Sequence, residues 1–263
     1  MKQFDMSESN HSNEYNGMTH YVDLPTKGLF YSKEHPLHGE ETIEIKMLTT
    51  KEEEVLSNPS YIDKGIVLEK FLESIIVNKN INYQMLHDSD QMAILLASRI
   101  EAYDKDYPVA IQCADCGEEY ATDIDILEMS KNVVQDDVET TGAGTSIIEL
   151  PKSKKVVEFK VLLPYEVKSI ETTVERMKKT GIKTNFTNEF YQRVIVSIDG
   201  EVDAEKASTF VKNMFLKDSR AFRGAYENSI PKISTEFESA CSHCGHVQKG
   251  GLPIQASFFF PDL

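Results

Sequence analysis

Basic charge is the first thing in short supply. The 263 residues carry 28 Lys and Arg against 43 Asp and Glu, a formal net charge of −15. Nucleic-acid binding needs clustered cations to neutralise phosphates, so no nucleic-acid partner is expected. Long apolar runs are missing too. The strongest, Met92 to Ala97 and Ser257 to Phe260, fall far short of the roughly 20 residues that cross a bilayer, so no membrane span is expected. The first ten residues are polar and acidic, without an apolar stretch ahead of a small-residue cleavage site, and do not read as a secretory signal. A reducing cytoplasm is the expected compartment. Catalytic signatures are also absent: there is no Gly-x-Ser-x-Gly, no His-Glu-x-x-His and no dinucleotide fingerprint. Gly142-Ala-Gly144 has neither the Lys nor the spacing of a phosphate cradle and reads as flexible linker. The chain is expected to be no enzyme and to take no small-molecule substrate.

What is present is enough apolar residue, 40%, to build a core in a chain of this length. Residues 1–20 offer almost nothing to bury and read as a disordered arm, with structure beginning at Tyr21. A second poor stretch, Gln135 to Gly144, marks a linker over 131–146. It divides the chain into two lobes, 21–130 and 147–263, that repeat one another. Val22-Asp-Leu-Pro25 opens the first and Ile148-Glu-Leu-Pro151 the second. Ile43 to Leu48 and Val157 to Leu162 both alternate as strands with period two. Each then leads into a helix, one started by Thr49 with Glu52 as a capping box, the other by Pro164 and stopped at Gly181. Further helices follow: Ile66 to Ile76 and the Asp88 to Tyr103 segment in the first half, Phe190 to Ile198 and then Ala207 to Phe215 in the second. An Arg and Tyr pair ends the last helix of each half, Arg99 with Tyr103 and Arg223 with Tyr226. The expected fold is α+β, two similar helical lobes with short strands related by internal duplication.

All four cysteines lie in two knuckles, Cys113-Ala-Asp-Cys116-Gly117 and Cys241-Ser-His-Cys244-Gly245. Four are too few for a disulfide scaffold, and closely spaced pairs in a reducing compartment more often hold metal. Two-residue spacing turns both sulfurs of a pair toward one ion, and the following glycine lets the backbone fold under. Pro25 to Cys113 spans 88 positions and Pro151 to Cys241 spans 90, so each lobe supplies one knuckle at the same place. Cys113, Cys116, Cys241 and Cys244 are therefore expected to form one zinc-ribbon-like Zn2+ site across the lobes, with His243 and His246 at the surface. Four thiolates leave no open coordination position, so the zinc would be structural. A redox dithiol fits less well, since neither pair has a thioredoxin-like strand-to-helix setting.

Asp88, Asp90, Arg99 and Tyr103 read as a helix cap and polar contacts. After the second knuckle, Leu252, Ile254, Ala256, Phe258 and Phe260 alternate as one face of a strand that completes the sheet around the metal. Phe259 then points the other way and is the expected partner-binding anchor.

Leu24-Pro-Thr-Lys-Gly-Leu-Phe-Tyr31, the Ile43 to Leu56 strand and helix, the Asp90 to Tyr103 helix and the Cys113-x-x-Cys116 pair resemble the baseplate hub assembly proteins of T-even-type contractile-tailed bacteriophages. The similarity runs from Tyr21 to Cys116, and the second cysteine pair is consistent with it. It implies an accessory protein made late in infection that acts in the host cytoplasm and helps build the central hub. The protein would be either absent from the virion or a minor baseplate component, with hub or tail proteins as partners. The rival reading from the residues alone is a bacterial zinc-ribbon adaptor that binds a transcription or processing enzyme.

Overall fold

The computed structural model describes residues 18–135, 139–141, 144–181 and 186–260. The expected arm lies outside these residues up to 17, and the chain is already in strand at Thr19.

Strands β1 (Thr19–Asp23) and β2 (Thr42–Lys46) form an antiparallel hairpin. The alternation read from sequence buries Ile43 and Ile45 and leaves Thr42, Glu44 and Lys46 half-buried. Helix α1 (Thr50–Leu56) begins at the expected capping box: Thr49 donates its backbone N–H to Glu52 Oε2 at 2.9 Å, while its hydroxyl oxygen accepts from Lys51 N–H. Asn58 caps α2 (Pro59–Asp63), and α3 (Val67–Ile75) buries Phe71, Leu72 and Ile75. Helix α4 (Asp88–Tyr103) follows a single 3-10 turn, Tyr83–Met85.

Next come the hairpin β3 (Asp106–Gln112) and β4 (Glu119–Asp125), helix α5 (Ile126–Lys131), and a two-residue strand β5 (Val133–Val134). Among the described residues, two short elements lie wholly within the expected linker. One is β5; the other is β6 (Glu139–Thr140), the edge of a four-stranded sheet in the order β6, β7 (Thr145–Glu149), β8 (Val156–Lys160), β9 (Ile195–Ile198). Between β8 and β9 lie α6 (Pro164–Lys179), with Pro164 in its first turn, and α7 (Phe186–Val194). The segment Phe190 to Ile198 is thus helix and then strand. Helices α8 (Ala204–Lys212) and α9 (Leu216–Asn228) precede β10 (Lys232–Ile233), which pairs with β5. The second knuckle hairpin is β11 (Glu236–Ala240) with β12 (Val247–Gly251). The fold is α+β, as expected.

Several local features recur between the halves. The carbonyls of Leu24 and Leu150, both buried, accept the N–H of Lys27 and of Lys154 at 2.9 and 3.0 Å. Both lysines sit at positive φ, 49° and 60°. The residue after each Leu-Pro donates its N–H to a carboxylate in the first turn of the last helix before the half's cysteine knuckle: Thr26 to Asp90 Oδ1 at 3.1 Å, Lys152 to Asp218 Oδ1 at 2.6 Å. Other features differ. Arg99 is buried, whereas Arg223 is exposed.

Among the described residues there are two large hydrophobic clusters and a small third one, of Cys113, Tyr120 and Cys241. Ile45, Phe71, Ile75 and Leu96 lie in the first, and Phe159, Ile170, Val194 and Phe222 in the second. The described part of the C-terminal tail joins the first rather than the second. Leu252, Phe258 and Phe259 enter the first cluster, with Phe259 against Phe71 at 4.7 Å and Phe258 against Tyr107 at 5.1 Å between ring centroids.

This corrects the reading of Phe259 as an exposed anchor, since it is 0% exposed. Pro253 interrupts the alternating run, and Ala256–Phe259 winds into a 3-10 turn rather than a strand. Neighbouring side chains on a strand point to opposite faces, but in a three-residue turn they are about 120° apart. Both phenylalanines can therefore reach one core.

Candidate metal centre

Each cysteine pair sits at the tip of a two-stranded hairpin, and the two tips are built alike. Cys113 N–H donates to the carbonyl of Glu118 at 2.9 Å, and Gly117 N–H to that of Cys113 at 3.0 Å. In the second hairpin Cys241 N–H donates to His246 at 2.9 Å and Gly245 N–H to Cys241 at 2.9 Å. Gly117 and Gly245 take φ of 77° and 76°, in the left-handed region that a Cβ disfavours. The glycine after each pair is thus what lets the chain turn under the sulfurs.

The four sulfurs converge. Cys113 Sγ lies 3.6 Å from Cys244 Sγ, Cys116 Sγ lies 3.8 Å from Cys241 Sγ, and all four atoms fall within 4.8 Å of one another. A tetrahedral zinc with bonds of about 2.3 Å needs sulfurs about 3.8 Å apart, so the donor set and spacing fit that ion. Cys113 and Cys241 are buried, and Cys116 and Cys244 are exposed. The backbone N–H groups of Cys116 and Asp115 point at Cys113 and hold its thiol down at about 6, against the opposing effect of burial. At Cys244 the His246 N–H acts in the lowering direction, yet burial and the three neighbouring sulfurs push the thiol up to about 12. Burial and the neighbouring sulfurs thus oppose ionisation of Cys244. A bound cation would offset that effect.

Other contacts join the hairpins beside the sulfurs. Tyr120 and Ser239 share a buried hydroxyl hydrogen bond at 2.7 Å. Gln248 spans the gap, accepting from Ala114 N–H at 2.9 Å and donating to the carbonyl of Gln112 at 3.1 Å. No spacing rule in the sequence pointed to Tyr120, Ser239 or Gln248. Their signal there is positional: Tyr120 and Gln248 each lie four residues past the second cysteine of a pair, and Ser239 lies two before Cys241.

The family described as T4 bacteriophage base plate protein matches residues 30–260. The chain belongs to that family. The matched span takes in both cysteine pairs and most of both halves of this base plate family protein. No curated protein and no solved structure matches the chain.

Elsewhere in this base plate family chain, the Asp90 group is a buried polar cluster. Asp90 accepts from Thr26 N–H, from the Thr26 hydroxyl at 2.6 Å and from the Tyr31 hydroxyl at 2.6 Å. Burial raises its carboxyl above the ordinary range, although those three bonds oppose the rise. Tyr31 also accepts from His87 N–H at 3.2 Å and stacks on His35 at 4.2 Å. This network ties the Leu24–Tyr31 loop to the start of α4. Arg99 and Tyr103 are not part of it: Arg99 is buried under the C-terminal tail. His243 and His246 are exposed, as expected, and among the described residues only the cysteines converge closely enough to hold a metal. No described helix is long and apolar enough to cross a membrane.

Proposed function

We propose that this protein works by binding other baseplate proteins while the central hub of a phage tail is built, as an assembly factor or a minor hub component, and that it performs no chemistry. The family match over residues 30–260 carries the reading. The cysteine geometry agrees with it, because a four-thiolate site is closed to substrate and serves to hold structure. In this reading the ion is zinc, bound by Cys113, Cys116, Cys241 and Cys244. The two halves are repeats that meet near 131–146, the second sending its tail back into the core of the first. The recurring Leu-Pro turns, Asp90 and Asp218 contacts and knuckle hydrogen bonds support that descent. The protein acts in the host cytoplasm during assembly, with hub or tail proteins as partners and without nucleic acid or small-molecule substrate. The bacterial adaptor reading has no comparable support.

Affinity capture from infected cells, followed by mass spectrometry and compared with the protein content of purified virions, tests this. Hub or tail subunits in the captured fraction are expected. Recovery of polymerase subunits instead would overturn the reading.

A further inference from the structure

The two knuckle hairpins each hold only two strands, so the outer edges of β4 and β11 pair with no further strand among the described residues. Between these strands, beyond the Tyr120 to Ser239 hydrogen bond, lies a groove of about 320 Å3. Its walls carry Asp123, Asp125, Glu128, Glu236 and Glu238, and among the described residues no Lys or Arg lines it. Ile124, Met129 and Phe237 give it an apolar component. Lysines elsewhere offset part of the charge: Lys105 pairs with Asp125 at 2.8 Å and Lys131 with Glu128 at 2.8 Å, both outside the groove lining. Lys249 reaches Glu238 at 3.4 Å. Asp123 and Glu236 have no ion pair among the described residues.

The main chain is poised as well. Cys113 N–H bonds to the Glu118 carbonyl, and Ile126 N–H to that of Lys105, both at 2.9 Å, which places the even-numbered β4 residues in the ladder with β3. Asp123 falls between them, opposite Pro108, and its backbone N–H and carbonyl face away from β3. Neither has a partner among the described residues.

We propose that this groove takes an extended basic segment of a neighbouring protein. The segment adds as a strand along the free edge of β4, with its Lys or Arg side chains against the acidic walls. Strand addition draws affinity from main-chain bonds and specificity from alternate side chains, and both halves of that requirement are met here. Charge complementarity selects the occupant: nucleic acid is repelled by the same carboxylates. A metal cage is disfavoured because, among the described residues, only the cysteines converge tightly enough. The inference deepens the baseplate reading and rests on it for the source of the segment, an adjacent subunit.

The test uses the full, zinc-loaded chain and a fluorescent octapeptide of alternating Lys and Val, read by anisotropy. Saturable binding is expected, weakened at least about tenfold when Glu replaces Lys in the peptide or when Glu236→Lys and Glu238→Lys are combined. Asp123→Pro should bind more weakly than Asp123→Asn: the two remove the same charge, but only proline removes the outward N–H. Circular dichroism and zinc content check that each variant folds, and if Asp123→Pro does not, the Glu236 and Glu238 pair carries the test. Reversing the exposed Glu171 and Glu175 on α6 should leave binding unchanged.

Equal weakening by that distant pair would reduce the effect to bulk charge and overturn the proposal. Absence of binding would do the same, leaving the acidic walls as a guard that keeps two free strand edges from pairing. No baseplate component enters this assay, so its failure leaves the family-based reading standing, and failure of the capture experiment leaves the groove standing.

Discussion

Arg99 donates its Nε–H to the carbonyl oxygen of Phe258 at 3.2 Å, although 159 residues separate them. Its guanidinium lies over the Tyr103 and Tyr107 rings at 4.5 and 5.5 Å, and the residue is 1% exposed. A buried cation is tolerated only where donors and faces are satisfied, so the tail carbonyl and the two rings are part of what makes Arg99 admissible there. The C-terminal segment is therefore a structural element of the first core.

From this follows the first prediction. Phe259→Ala and Phe258→Ala should each destabilise the protein by about 3 to 5 kcal/mol, the range for truncating a fully buried phenylalanine. Urea denaturation followed by circular dichroism measures it. A Phe259→Ala protein as stable as the parent would contradict the packing against Phe71.

The residues that were legible in the sequence act locally or at fixed spacing. Thr49 with Glu52, Pro164 and the cysteine pairs specify their surroundings within a few positions: the capping box forms, the helix starts at the proline, and the four sulfurs come together. Contacts set by the tertiary fold were hidden. Asp90 finds Thr26 across 64 residues and Tyr31 across 59, and no periodic pattern encodes either partner. The tail misled for another reason: its alternation matched a strand, while Pro253 and the pull of two phenylalanines toward one core decided for a 3-10 turn. The stretch read as linker has too little apolar content to announce strands, yet backbone pairing of β5 with β10 and of β6 with β7 needs little side-chain burial.

Metal content gives the second prediction. One zinc per chain is expected by elemental analysis, with no cluster chromophore. A structural zinc contributes on the order of 10 kcal/mol of apparent binding free energy at neutral pH, as much as a whole domain's stability. Cys116→Ser or Cys244→Ser should therefore lower the melting temperature sharply or abolish folded yield, whereas His243→Ala should melt like the parent. Native protein free of zinc with four titratable thiols would remove the site.

The two first-turn aspartates make a third test. Asp90→Ala leaves a buried N–H and two hydroxyls without their acceptor, at about 1 to 3 kcal/mol for each group. Asp218→Ala leaves the N–H groups of Lys152 and Ser153, whose bonds measure 2.6 and 3.0 Å. Both variants should be less stable in chemical denaturation, Asp90→Ala by at least about 3 kcal/mol and Asp218→Ala by less, since its donors lie nearer solvent. Assembly of hubs in a complementation assay should fall only as far as stability does. Loss of function in a fully stable Asp90 variant would argue for chemistry at that residue.

The last prediction concerns pH and His87, which is 2% exposed. Burial is the main cause that brings its imidazole from 6.5 down to about 4; His35 nearby adds to the fall, while the Phe30 carbonyl and Glu166 oppose it. The neutral ring is thus favoured in the folded chain relative to the unfolded one. Its contribution is fully present above about 6.5 and is lost as pH falls through 6.5 toward 4, because the unfolded chain takes up a proton that the folded chain resists. A shift of this size corresponds to about 3 kcal/mol at most. If the cysteines hold a metal, thiolate protonation would release it over part of the same window, so the parent alone cannot isolate the effect. His87→Gln keeps a neutral polar side chain within reach of the Phe30 carbonyl and leaves the cysteines untouched. Denaturation midpoints for both proteins between pH 7 and 4 should converge as pH falls, the parent losing up to about 3 kcal/mol more than the variant. Parallel curves would mean that His87 protonates in the folded state at its ordinary value, and that the buried site between Tyr31 and α4 admits water.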